Sequence, residues 1–164
     1  MGTQSPAVIL TEASRPEAIV GDLLKGHMAA FTLDPWLLAG RIAEIVEDPH
    51  LPIAWPYVPF TPPPHGIWLE CQVAWTSSTG PWFPPGSEAV HIGLLQATVV
   101  SQLAMGETLA LEIAGDIARH LKRGTWAAIS RTRVEIHDVP KITTPYKDEN
   151  VLRTPVIARW RAIF

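Results

Sequence analysis

The sequence predicts an α+β domain: a mainly antiparallel sheet of about four strands, with two long helices packed on one face plus an inserted helix. Three observations carry that expectation. Residues 67–75 alternate apolar and polar side chains at the period of a half-buried strand. Apolar residues recur at helical spacing over 19–31 and again over 109–121. The chain is 164 residues long, which is one domain's worth and enough to bury a core without covalent staples.

Residues 1–13 are polar and without a clear period, so they are expected to form an N-terminal arm, leaving 14–164 as a single domain. Ser14 and Glu17 have capping-box spacing, and Pro16 falls in the first turn, where its missing N–H costs little. The first helix is therefore expected to start at Ser14. Ile19, Val20, Leu23, Leu24, His27, Met28 and Phe31 make its apolar stripe, on which His27 reads as a helix-edge histidine rather than a ligand. Asp34 as N-cap and Pro35 as first residue predict a second helix over 35–47, ended by Asp48-Pro49. The proline-dense stretch 49–64 cannot donate a full sheet ladder, so it is expected to be an edge segment or ordered loop. Its Trp55, Tyr57 and Phe60 are too apolar for a free linker and are expected to dock on the chain's own domain.

In the strand over 67–75, Ile67, Leu69, Cys71, Val73 and Trp75 share one face, and Glu70 and Gln72 lie on the other. Cys71 is thereby a small buried hydrophobe. Residues 76–88 read as a long loop whose tip carries Trp82 and Phe83, aromatics either folded back onto the core or presented to a partner. Residues 89–102 are apolar on both faces, the pattern of a central strand. A helix over 107–122 places Leu109, Ile113, Ile117 and Leu121 on one face. Its acids come early and its bases late, matching the helix dipole, before Gly124 stops it. A strand over 132–139 buries Val134 and Ile136, and a last strand over 152–164 buries Val156, Ala158, Trp160, Ala162 and Phe164. By the same alternation Arg131, Arg133, Arg153, Arg159 and Arg161 project together from the opposite side, and with Trp82 and Phe83 they are the candidate contact residues.

Composition excludes several classes. One cysteine makes no internal disulfide and no thiolate zinc site. Hydrophobic content of 47% with 18% charged residues argues against disorder. No apolar run approaches the ~20 residues of a membrane span, and no signal peptide is expected, so a reducing cytoplasm is the default. Residues 1–118 carry 3 basic and 12 acidic side chains, net −9, whereas residues 119–164 carry 10 and 4, net +6. Such polarity fits identical subunits meeting head to tail or a face turned to a polyanion; two solvated regions that mix on the folded surface fit it as well.

No phosphate-cradling glycine loop, HExxH, CxxC or GxSxG occurs, and the six histidines show no metal-ligand spacing. No catalytic, cofactor-binding or metal-ligating residue is therefore expected, and no cofactor. A nucleic-acid-reading sheet interleaves aromatics with bases on one exposed face. Here Trp160 points away from Arg159 and Arg161, so contact between acidic and basic surfaces of identical subunits explains the arginines more simply.

The run Leu51-Pro52-Ile53-Ala54-Trp55-Pro56, followed by Val58-Pro59-Phe60-Thr61-Pro62-Pro63, resembles the proline-rich signature of a family of small phage tail terminator and minor tail proteins. Four more segments fit in order: Trp68 through Val73, Gly93 through Val99, Ala114 through His120, and Arg153-Thr154-Pro155-Val156-Ile157 leading into Trp160. The resemblance spans most of residues 17–164. It departs from the family pattern at residues 35–48, which look like an inserted helix, and in the length of the N-terminal arm. What it implies is a structural virion protein of a long-tailed phage, of the lambda type. Such a protein forms a homohexameric ring on the tail tube, stops tube growth and offers a surface to the head-completion or stopper protein. Its place is the tail and neck of the virion, assembled in the host cytoplasm, with DNA only passing through the lumen and no membrane contact. Another neck component, a stopper or tail-completion protein, is the nearest alternative; a small nucleic-acid-binding protein or an enzyme with an unrecognised site is a further one.

Overall fold

The longest strand organises the rest. In the computed structural model, which describes residues 16–33, 50–64, 66–79 and 90–163, strand β8 (Val151–Ile163) pairs antiparallel with β3 (Val90–Gln102) along its whole length. On its other side β8 pairs in turn with β7 (Tyr146–Asp148), β6 (Lys141–Ile142) and β5 (Thr132–Ile136). Strand β2 (Trp68–Thr79) flanks β3, β4 (Trp126–Ile129) flanks β5, and the two-residue β1 (Ile53–Ala54) pairs parallel with β2 at the far edge. The eight strands, in the order β1-β2-β3-β8-β5-β4 with β6 and β7 beside β8, form one curled half-barrel sheet. Helix α1 (Pro16–Ala29) precedes the sheet, and α2 (Gly106–His120) follows β3 after a single 3₁₀ turn.

Strand alternation divides the sheet into two faces. The inner face sets Leu69 and Cys71, then Leu95, Ala97 and Val99, then Val156, Ala158 and Trp160, then Val134 and Ile136 into one core. Helix α1 adds Val20, Leu23, Leu24 and Met28; α2 adds Leu109, Ile113, Ala114 and Ile117. Each of the valine, leucine, isoleucine and methionine side chains among these contributes about 2 kcal/mol by leaving water. At the helix contact the His27 and His120 rings stack at 4.4 Å, Phe31 meets His120 edge-on at 5.4 Å, and His120 Nε2–H donates to the His27 carbonyl oxygen (3.1 Å). Gly93 lacks a side chain because the Trp160 indole of the paired strand lies over it.

The proline-rich segment supplies the edge strand β1. Trp55 packs against the core with the Lys25 ammonium 5.8 Å from its ring centre, and Phe60 lies against Trp68 on the outer face. Tyr57, expected to dock, is fully exposed at positive φ.

The expected fold class needs correction. The sheet has eight strands rather than about four, and the described helices are short, 14 and 15 residues, rather than two long ones on a small sheet. The missed strands β1, β4, β6 and β7 have two to four residues each, too short for alternation to register. β6 and β7 exist because 13-residue β8 is long enough to carry them beside β5 on one side, while β1 and β4 each borrow the ladder of a neighbour, β2 and β5. Strand β2 also continues to Thr79, through a bulge between Trp75 and Ser77, where a loop from residue 76 was expected. The arm 1–13, the Ser14 cap, the inserted helix 35–48, the Trp82–Phe83 tip and Phe164 lie outside the described residues.

Candidate assembly surface

The outer face begins with the β4–β5 hairpin. Gly124, at φ 90, ends the turn after α2 and donates its N–H to the Ile136 carbonyl, which sets β4 beside β5. Ser130 takes φ 53 to close the two-residue turn before β5. The register then puts Trp126 opposite Glu135, and Glu135 opposite Arg161 of β8. Arg161 donates to Glu135 at 3.4 Å, and the Arg133 guanidinium lies 4.8 Å from the centre of the Trp126 ring. Trp126 is 57% exposed. Arg159 and Arg131 are exposed and have no ion-pair partner among the described residues. Arg133, Arg159 and Arg161 thus gather at one corner of the outer face, with Arg131 in the adjoining hairpin turn.

Arg153 lies on the same face but about 26 Å along β8 from Arg161. It is committed within the chain: its guanidinium donates to Glu70 across β3 (2.5 Å) and to Asp148 on β7 (2.6 Å), and its side chain is 22% exposed. Burial works against its charge, but the hydrogen bonds and the two carboxylates outweigh that and raise its pKa above the ordinary arginine value. Trp82 and Phe83, the two remaining candidate contacts, lie outside the described residues.

Trp160 is fully buried, pointing inward as its phase requires. The aromatic on the basic face is instead Trp126, which sequence reading missed. The signal was available: Trp126 stands two residues past the glycine that ends α2 and a short span before the turn at Ser130, the layout of a hairpin arm.

Other chemistry is sparse. Burial pushes the Cys71 thiol up to about 12, so it stays protonated at neutral pH. A small apolar cleft of about 10 Å³, room for roughly one water, lies between Leu24 and His27 of α1 and Trp126, Ala127, Val134 and Ile136 of the hairpin. His27 is held below the ordinary histidine range by burial first and by the neighbouring His120 second; its Nε2 has no hydrogen-bond partner among the described residues. Asp116 and Arg119 form an ion pair on α2. Among the described residues no group of three His, Cys, Asp or Glu side chains is placed to hold a metal ion, and no helix is long and apolar enough to cross a membrane.

An exposed aromatic–arginine corner on a sheet with apolar edges is the equipment of a protein that works by docking to other proteins. Comparison with known proteins gives this class a family. The profile of the phage tail terminator protein family matches residues 36–160, and the chain belongs to that family. Its role is structural, in the phage tail, and it interacts with other tail components. A solved protein structure superposes with a TM-score of 0.63 at 21% sequence identity, covering 87% of this chain and 95% of the other, a likeness of fold. The curated proteins contain no significant match to the sequence.

Proposed function

We propose that this protein is the tail terminator of a long-tailed phage: it caps the tail tube, stops tube polymerisation and joins the tube to the head-completion or stopper protein at the neck. The family match over residues 36–160 carries the reading. The acting form is a homohexameric ring, resident in the virion and assembled in the host cytoplasm, and the role involves no catalysis and no cofactor. The charge layout supports a ring. The strands of the acidic segment, β1 to β3, carry one charge, Glu70, whereas residues 126–163, which build β4 to β8, carry seven basic and four acidic side chains, net +3. The sequence halves are therefore halves of the sheet, and subunits of that polarity attract head to tail. The arginine corner faces a subunit or the tube and not the lumen, so DNA passes without being held.

Negative-stain imaging of the purified protein with tail tubes tests this. Six-fold rings capping one end of the tubes are the expected result. A protein that ignores tubes and binds connector complexes overturns it in favour of another neck component.

A further inference from the structure

The sheet has two unfinished edges, and they match. Strand β4, Trp-Ala-Ala-Ile, is an outermost strand with no charged residue, no proline and no bulge, the devices that normally blunt an edge. Trp126 and Ile129 on it are 57% and 51% exposed. On the other side β1 covers only Leu69 and Glu70 of β2, so residues 71–79 have no strand on their second side among the described residues. Residues 71–74, Cys-Gln-Val-Ala, precede the bulge and likewise carry no proline and no charge. Among the described residues, four residues of open edge thus stand at each end of one sheet.

We infer that β4 of one copy adds to the β2 edge of the next, continuing the sheet between subunits. The proposal rests on the ring reading above and names the surface that makes the ring. Topology fixes the polarity of the junction. Four antiparallel steps separate β2 from β4, so the two strands run in the same direction, and a head-to-tail neighbour in the same orientation pairs in parallel. The alternative occupant of β4 is a second β4 across a two-fold axis, an antiparallel pair. That arrangement brings two net +3 halves of the sheet together, whereas β4 on β2 sets the net +3 half against strands whose one charge, Glu70, is acidic. Charge therefore selects the heterologous junction, and a heterologous contact with a closing rotation yields a ring. The curl of the sheet supplies that rotation, because a half-barrel turns its two edges toward a common side.

Disulfide trapping tests the junction. Ala74 and Ala128 are exposed, lie on the outer face of their strands, and fall within bridging distance across a parallel pair in one register; Gln72 serves the register two residues away. Cys71 does not compete, since its thiol is buried and its pKa lies near 12. Oxidation is carried out on Ala74→Cys/Ala128→Cys, on Gln72→Cys/Ala128→Cys and on the three single variants, each mixed with tail tubes and imaged in parallel. One double variant gives a covalent ladder ending at a closed species, and the single variants stay uncross-linked. Covalent dimers from Ala128→Cys alone overturn the proposal in favour of the two-fold pair. Caps on tubes with no cross-link in either double variant overturn it while leaving the terminator reading standing. Cross-linked rings without caps support the junction and remove the terminator reading. Trp126→Lys keeps its circular dichroism spectrum and loses assembly; full assembly by that variant counts against the edge. The arm is tested by deleting residues 1–13. Cross-linking that appears only after the deletion means the chain's own arm occupies β4, and the proposal falls.

Discussion

Replacing Gly93 with alanine tests the reading of the core most directly. A Cβ at this position collides with the Trp160 indole on β8 and with the Ala74 carbonyl oxygen on β2. An exposed side chain would swing aside, but Trp160 is fully buried and packed, and the carbonyl belongs to the β2 backbone. Overpacking a well-filled core costs about 1–3 kcal/mol. With backbone on one side and a locked indole on the other, the upper end applies, about 3 kcal/mol. That is a large fraction of the ~5–15 kcal/mol a domain of this kind possesses. Urea unfolding followed by circular dichroism reads the loss as a drop in midpoint of about 1–2 M, taking a slope of about 2 kcal/mol per molar. Trp160→Phe alone costs only about 1–2 kcal/mol, because removing a buried indole N–H with no partner among the described residues offsets part of the lost packing. The double variant then falls short of the sum by about 1 kcal/mol, since the smaller ring yields space to the new methyl group. An unchanged midpoint for Gly93→Ala, or strictly additive costs, refutes the placement of the indole over Gly93.

Three other outcomes are expected. His27 is held neutral in the folded protein, so the unfolded chain binds its proton first: stability is complete above the ordinary value of 6.5 and declines as pH falls below it toward the lowered folded value. Urea midpoints at pH 7.5 and 5.5 show this decline in the natural protein and a smaller one in His27→Leu; equal declines count against the buried stack. Arg153→Met strands Glu70 and Asp148, which are half in solvent, and costs about 1 kcal/mol, less at high salt; no loss at low salt removes the bridge across β3. Ser130→Gly relieves a positive φ of 53° in the β4–β5 turn and raises the midpoint by up to about 1 kcal/mol equivalent, whereas destabilisation means that the turn is not in that conformation.

How much of this fold the sequence discloses depends on element length. β2 and β8, at 12 and 13 residues, are long enough for a period-two signal to rise above noise, and their inward residues Leu69, Cys71, Val156 and Ala158 are those the alternation picks out; β3, apolar on both faces, shows its place as a central strand but not which face is inward. Helix α2 is legible because Leu109, Ile113, Ile117 and Leu121 step by four and all are buried. The two-residue strands β1 and β6 carry no period at all. They are strands only because a long neighbour already holds the ladder, a tertiary fact no local pattern encodes. The same cause hid the true strand count and made the helices seem the larger part of the fold.

The candidate surface divides along a similar line. Alternation places Arg153 with Arg159 and Arg161 on one face, and so it does in the molecule, yet a shared face is not a shared site. Register decides that. Arg161 stands opposite Glu135 and next to the Arg133–Trp126 pair, whereas Arg153 stands at the other end of β8, tied to Glu70 and Asp148. Substitution distinguishes their work. Arg159→Glu leaves the fold within about 0.5 kcal/mol, because an exposed arginine with no described ion-pair partner contributes little to the monomer. It weakens attachment to tail tubes if the corner is a contact, and an unchanged capping titration removes Arg159 from the interface. Arg153→Met acts in the opposite sense, loosening the sheet across β3 while leaving the arginine corner intact. A residue that holds the sheet together and a residue that meets a partner are thereby separated by whether stability or assembly moves first.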